Sequence, residues 1–353
     1  MIAYSSTKRD PDGVSSHPWG YAPRRSTRRA VLIAAAAWPA LAWTDSVFGQ
    51  SQKAPVLIGW LNGGSREANG HLFAAFKEGL AALGWKEGSQ VVIEERWADG
   101  RSERLQPLAQ ELAAKKPSVI VAAPGPAVRA AAKAAPTTPV VQATGPDLVV
   151  GGLAASLARP GGMVTGVTNF VYELAEKHVE FLLAAAPKLQ RVGFLRDPTT
   201  SNPGLLTDAA RRSVARHSVQ ARFADAGKPE EIEAAISRLA KEGAQALIVF
   251  PSQTFIVERR RIVKLALAQQ WPVVGGLGEL AEAEALLSYS ADALANYRRA
   301  AYYVDRILKG AKPGDLPIEQ PTRFELVINM KTAKALKLEI SRELAVRADR
   351  VIE

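Results

Sequence analysis

The sequence predicts an α/β protein built as two doubly wound parallel-sheet lobes joined by a hinge, and three observations carry that expectation. Strand-length apolar runs alternate with helix-period stripes from residue 56 onward. The runs are apolar at consecutive positions, as in Val119-Ile120-Val121-Ala122, the pattern of a strand covered by helices on both faces. The alternation occurs as two series of similar size, divided near residue 170. A chain of 353 residues has room for two domains at roughly 100–200 residues each, and each can bury a core without disulfides.

Taken in order, residues 56–61 form a continuous apolar run of strand length. Leu72, Phe73, Phe76, Leu80 and Leu83 recur at spacings of three and four, which predicts a helix over 70–83. A strand over 91–96 follows, then a helix lined by Leu105, Leu108, Ala109 and Leu112. A strand over 119–122, a helix through 128–135 and the pair Val140-Val141 continue the series. After the break at Arg159-Pro160-Gly161-Gly162, Leu174, Val179, Leu182 and Leu183 mark a helix. Strands over 192–196, 219–224 and 246–250 then alternate with helices over 205–216, 232–239 and 262–268. Short apolar runs at 272–274 and 286–289 close the second series. A long helix over 291–309 bears Leu294, Tyr297, Ala301, Val304 and Leu308, and is followed by a strand over 324–328 and a helix over 331–336. Coming after the second series, these elements are expected to return to the first lobe. The expected division is therefore 55–169 plus 291–353 for lobe 1, and 170–290 for lobe 2.

The first 49 residues read as an address. Residues 1–23 mix Pro, Gly, Ser and charge without periodicity, as a disordered leader does. Thr27-Arg28-Arg29 then precedes an uncharged run from Ala30 to Trp43, interrupted by Pro39. About 14 residues make roughly 21 Å of helix, too short for a bilayer core of about 30 Å. A basic segment, a short apolar run and small residues after it describe a signal peptide, and the paired arginines resemble a twin-arginine export signal. Formal net charge is +10, of which the leader holds six basic and three acidic side chains. In the remainder, basic and acidic residues are interspersed, as in Lys228/Glu230/Glu231, without the basic face that nucleic-acid binding needs.

Catalytic constellations are sparse. With no cysteine there is no disulfide framework, thiolate metal site or cysteine nucleophile. His71, His178 and His217 lie in helical stretches without metal-ligand spacing, and no P-loop, nucleophile elbow or HExxH motif occurs. Gly275-Gly276-Leu277-Gly278 follows a strand but lacks the dinucleotide-binding register. These observations predict neither an enzyme nor a bound metal or cofactor. Small and polar residues cluster instead just after strand ends: Asn62-Gly63-Gly64-Ser65, Pro124-Gly125-Pro126, Thr144-Gly145-Pro146-Asp147, residues 197–202 and Pro251-Ser252-Gln253-Thr254. Ligands of open α/β sheets bind outside the carboxyl ends of the strands, where helix N-termini also offer free N–H groups. The candidate ligand-binding residues are Asn62, Ser65, Gly125, Thr144 and Asp147 from the first lobe, with Asp197, Asn202, Ser252 and Tyr289 from the second. Ordinary turn and capping chemistry is the competing explanation for any single loop. Trp60, Phe170 and Tyr172 either stack on an apolar ligand or pack in the core.

Several segments resemble the ABC-transporter substrate-binding family that includes tryptophan- and tyrosine-binding members. They are Val56-Leu57-Ile58-Gly59-Trp60-Leu61-Asn62, Gly84-Trp85-Lys86-Glu87-Gly88, Leu157-Ala158-Arg159-Pro160-Gly161-Gly162 and Gln320-Pro321-Thr322-Arg323-Phe324-Glu325-Leu326. The chain departs from the family pattern at Gly145-Pro146-Asp147, where members often read Gly-Asp-Pro, and at Ser288-Tyr289-Ser290, where many read Ser-Tyr-Gly. The resemblance implies a type I periplasmic-binding-protein fold and a protein that passes a small molecule to an ABC permease in the inner membrane. An amino acid or aromatic compound is the expected ligand, and the protein is expected to be periplasmic and monomeric. Closure is expected about segments near 168–172, 289–292 and 320–324. A ligand-sensing module for a membrane receptor, a doubly wound enzyme and a transcription regulator of related fold are the alternatives.

Overall fold

The computed structural model describes residues 54–169, 171–200, 203–276 and 278–353. The leader and export signal expected over residues 1–49 lie outside the described residues, as do Phe170, Asn202 and the side chain of Tyr172.

Alternating runs become alternating elements. The first series is β1 (Val56–Asn62), α1 (Arg66–Ala82), β2 (Val91–Trp97), α2 (Leu105–Ala114), β3 (Val119–Ala123), α3 (Gly125–Ala134), β4 (Val140–Gln142) and β5 (Val164–Gly166). Its strands form one sheet in the order β2-β1-β3-β4-β5, parallel at every pairing. All five positions of β3 are buried, because helices cover both faces. Ile120 and Ala122 pack toward Leu105, Ala109 and Leu112 of α2, while Val119 and Val121 pack toward Leu72, Phe73 and Phe76 of α1. Trp60 centres the second of these layers, with Phe73 at 4.6 Å and Phe76 at 5.3 Å between ring centroids.

The second series is α4 (Val171–Ala185), β6 (Arg191–Arg196), α5 (Pro203–Arg216), β7 (Gln220–Asp225), α6 (Ile232–Lys241), β8 (Leu247–Val249), α7 (Gln253–Val257), α8 (Arg259–Ala268), β9 (Val273–Gly275), α9 (Glu279–Glu282) and β10 (Leu287–Ala291). After it come α10 (Ala293–Leu308), β11 (Phe324–Asn329), α11 (Met330–Ala335), α12 (Arg342–Val346) and β12 (Arg350–Ile352). The second sheet runs β12-β11-β10-β9-β8-β6-β7, parallel except where β10 meets β11. Consecutive residues of β6 serve opposite layers, Phe194 one and Leu195 the other, as the period of a strand requires.

One expectation is corrected here. Residues 291–353 do not all return to the first lobe. Helix α10 does: it packs along α1 so closely that a Cβ on Gly79 would lie 2.8 Å from the Ala301 Cβ. Trp85 Nε1 also donates to the buried Asp305 carboxylate at 2.9 Å. Strand β11 then pairs antiparallel with β10, Leu287 opposite Ile328, and β12 adds beside β11, so residues 324–352 extend the second sheet. The reason is parity. The chain crosses between sheets after β5, after β10 and before β11, and a chain that starts in the first lobe and crosses three times ends in the second. At the crossings, Val167 bridges Glu319, so two of the connecting segments lie side by side.

Candidate functional site

The carboxyl ends of β1, β3 and β4 in one sheet, and of β6, β8, β9 and β10 in the other, meet around a cavity of about 130 Å³. That is room for on the order of ten water-sized groups. The first lobe contributes Leu72 of α1, Pro124 and Pro126 at the start of α3, and Thr144, Gly145 and Pro146 after β4. The second lobe contributes Thr200, Leu206, Ser252, Gln253, Ile256 and Glu279. Asn169 comes from the crossing after β5, Ser290 from the end of β10, and Asn296 and Tyr297 from α10.

The lobes touch along the rim. Asn69 Nδ2 donates to Gln253 Oε1 at 2.9 Å, and Thr254 Oγ1 donates to the Gly100 carbonyl at 2.5 Å. Ser102 and Thr199 share a hydroxyl hydrogen bond at 2.9 Å, and Arg101 meets Glu230 at 2.6 Å. His71 Nε2 stands 3.4 Å from Glu279 Oε1. Donation from this ring N–H to the Glu279 carboxylate is the main reason the imidazole of His71 titrates above its ordinary range. For Glu279, burial pushes the carboxyl upward, but the His71 contact and its own backbone N–H outweigh that and hold it below the usual range. The structure is thus a closed clamp with its cavity bounded by both halves.

Of the nine candidate residues, Thr144 and Ser252 line the cavity. Thr144 Oγ1 accepts from Asn169 Nδ2 at 2.7 Å, and Asn169 Oδ1 accepts from Asn296 Nδ2 at 3.1 Å, so a polar chain runs from the first lobe into the crossings. Ser252 donates to Asp197 Oδ2 at 2.5 Å. Asp197 itself is only 4% exposed. Its Oδ1 accepts from the Thr199 N–H at 2.8 Å and from the Thr199 hydroxyl at 2.7 Å, so the carboxylate is saturated by the loops it joins.

The others hold the site from behind. Asn62 is buried beneath the cavity, where its Oδ1 accepts from the Gly64 N–H at 2.8 Å and its Nδ2 reaches the Tyr297 hydroxyl at 3.4 Å. Ser65 caps α1 by accepting from the Ala68 N–H at 3.1 Å, and Asp147 closes its own turn on the Val149 N–H at 2.7 Å. For these two, ordinary capping chemistry accounts for the residue. Gly125 opens α3 between two prolines that do line the cavity. Tyr289 turns away: its ring packs 5.0 Å from Phe181, and its carbonyl accepts from His178 Nε2 at 2.8 Å. Burial pulls the His178 ring down to about 4, so it is neutral with the proton on Nε2. Trp60 lies in the core, with the Tyr297 ring 5.8 Å away. Asn202 is outside the described residues.

The lining residues that sequence reasoning passed over are Asn169, Gln253, Glu279, Asn296 and Tyr297. Gln253 was signalled by its place in a strand-end loop. Glu279 lies in the Gly-, Ala- and Glu-rich stretch after β9, whose composition marks a loop but not which carboxylate turns inward.

Two parallel-sheet lobes, three crossings and a shared cavity define a binding protein of the type I periplasmic-binding-protein fold. The chain belongs to the family of ABC transporter substrate binding proteins, which it matches over residues 65–352. These are binding proteins, not enzymes. A tyrosine-binding protein of Clostridioides difficile is 24% identical over 75% of this chain and 76% of its own length. Among solved structures, an ABC domain from Streptococcus pneumoniae in complex with L-Trp superposes with a TM-score of 0.79 at 23% identity, covering 85% of this chain and 100% of that one. The ligand-free, open structure of a Clostridium difficile substrate binding protein with adhesive properties superposes at 0.61 with 22% identity, covering 84% and 99%.

Proposed function

We propose that this chain captures a small solute, an amino acid or aromatic compound, outside the cytoplasm and delivers it to an ABC importer. The observation that carries the reading is the cavity whose walls come from both lobes while the lobes touch at its rim. A ligand that contacts two halves at once stabilises the closed state more than the open one, and only such a difference moves the equilibrium. The segments near 168–172, 289–292 and 320–324 act as the hinge, and Thr144 and Ser252 contact the ligand directly. Asn62 and Asp197 hold the loops that present them. Residues 1–49 serve as leader and twin-arginine signal, and the released protein works as a monomer against its permease. The relatives named for tyrosine and bound to L-Trp support the solute class.

A thermal-shift screen of the purified protein against amino acids, aromatic acids, amines and sugars tests the solute-binding reading. A true ligand at about 100 times Kd raises stability by about 2.7 kcal/mol. A broad library without one shifted melt removes the proposal. Export is tested separately: replacing Arg28 and Arg29 with lysine is expected to leave the precursor in the cytoplasm.

A further inference from the structure

The charge inside the cavity narrows the ligand's chemistry. Among the described lining residues, Glu279 alone carries a formal charge, and its side chain is 18% exposed. The rest of the lining is uncharged: Leu72, Pro124, Pro146, Leu206 and Ile256 are apolar, and Thr144, Thr200, Ser252 and Gln253 are neutral polar groups. A carboxylate closed into such surroundings is costly unless a cation and hydrogen bonds meet it.

Within the protein the partners of Glu279 are His71 and its own backbone N–H. His71 approaches from the rim, 49% exposed, and is a cation only when protonated. Arg259, whose field also reaches Glu279, is committed to the Ile256 carbonyl at 2.7 Å and does not line the cavity. No Lys or Arg stands among the described lining residues to neutralise an anion. Neutral donors are present: the Thr144 hydroxyl, which accepts from Asn169 and is left to donate, and the Gln253 amide, whose Oε1 is taken by Asn69. They can meet a carboxylate or hydroxyl of the ligand but do not require one.

We infer that the ligand carries a protonated nitrogen on an apolar body, and that Glu279 is the specificity residue that reads it. The inference rests on the solute-binding reading above. It separates compounds that otherwise share a shape: an amino acid and its decarboxylated amine satisfy Glu279, whereas the acid lacking the nitrogen places a second negative charge beside it.

The test is calorimetric titration of the protein with matched sets sharing one side chain: L-tryptophan, tryptamine and indole-3-acetate; L-tyrosine, tyramine and 4-hydroxyphenylacetate; L-leucine, isoamylamine and 4-methylpentanoate. In at least one set both nitrogen-bearing members are expected to bind, with the acid about tenfold weaker or worse. Glu279→Gln is expected to weaken the nitrogen-bearing members by a similar factor, with its fold checked by circular dichroism and melting. The wild-type selectivity needs no variant and decides the matter if Glu279→Gln unfolds. His71→Gln is expected to keep the preference for the amine. An acid that binds within about threefold of its amine, or a folded Glu279→Gln that binds the amine unchanged, overturns the inference. If no set binds while a sugar or acid shifts the melt, this inference fails and the solute-binding reading stands. If nothing binds at all, both fall.

Discussion

The two walls of the cavity are built differently. The first lobe presents backbone and ring faces: Pro124 and Pro126 at the start of α3, Gly145 and Pro146 after β4, with Thr144 as its polar point. The second lobe presents side chains, Thr200, Ser252, Gln253 and Glu279, of which Ser252 is held from below by the Asp197 carboxylate and Thr200 by the Asp197 carbonyl. A proline-lined wall loses little entropy when it meets a ligand, because its φ angles are already fixed. A wall of polar side chains must be held in place by hydrogen bonds to be equally ready, and Asp197 does that for Ser252 and Thr200. One wall therefore gives shape and the other gives chemistry.

The largest effect that would break this contrast is at Asp197. Replacing it with alanine leaves the buried Ser252 hydroxyl unmet and releases the exposed Thr199. A loss of about 2 kcal/mol in urea-unfolding stability is expected, together with loss of binding. An unchanged midpoint would mean the second wall stands without its carboxylate. Gly64→Ala tests the meeting of the walls. Its Cβ would lie 2.5 Å from Gln253 Oε1, across the closing rim, and 2.8 Å from Asn69 Oδ1 of its own lobe. Affinity is expected to fall about tenfold, or about 1.4 kcal/mol, because the Gln253 contact is made only in the closed state. Solution scattering with and without ligand would show whether closure is what fails.

Thr144→Ala removes the acceptor of the Asn169 amide from the first wall. About 1 kcal/mol is expected, seen in ligand affinity more than in the melt. The smallest effect is that of pH on the His71–Glu279 contact. His71 titrates higher in the closed form, so its contribution is full below its ordinary value near 6.5 and is lost as pH rises through the closed-state value. Glu279 titrates lower, so the same contact is full above the ordinary carboxylate value near 4.5 and is lost as pH falls through the lowered closed-state value. Glu282 reinforces the imidazolium and Arg259 opposes it. Half-exposure of His71 keeps the effect below about 1 kcal/mol. A Kd that tightens from pH 8 to pH 6 in the wild type, and stays flat in His71→Gln, is the expected result.

Much of the fold could be read before any coordinates. The spacing of Leu72, Phe73, Phe76 and Leu80 predicts α1, and Val119 to Ala122 predicts a strand buried on both sides; both form as expected because the signals are local. The strand-end loops were also legible as a set. Which residue in each loop faces the cavity was not. Asn62 and Asp197 look like ligand contacts in the sequence because buried polar residues after strands serve loops and ligands alike, and the hydrogen bonds that distinguish the two come from residues far along the chain. Glu279 was illegible for the opposite reason: a glutamate among Gly and Ala carries no periodicity, and its inward turn depends on α9 packing beside β10.

By itself the sequence determined two βα series, their helical and strand periods, a cleft at the strand ends and a family. Tertiary structure decided that residues 324–352 join the second sheet, that Asn296 and Tyr297 reach the cavity from a helix packed on the first lobe, and that Glu279 meets His71. Periodicity records which face of an element is dry, and that is written in neighbouring residues. Which edges pair and which loops meet is settled by contacts between segments separated by a hundred residues or more, where no local pattern carries the information.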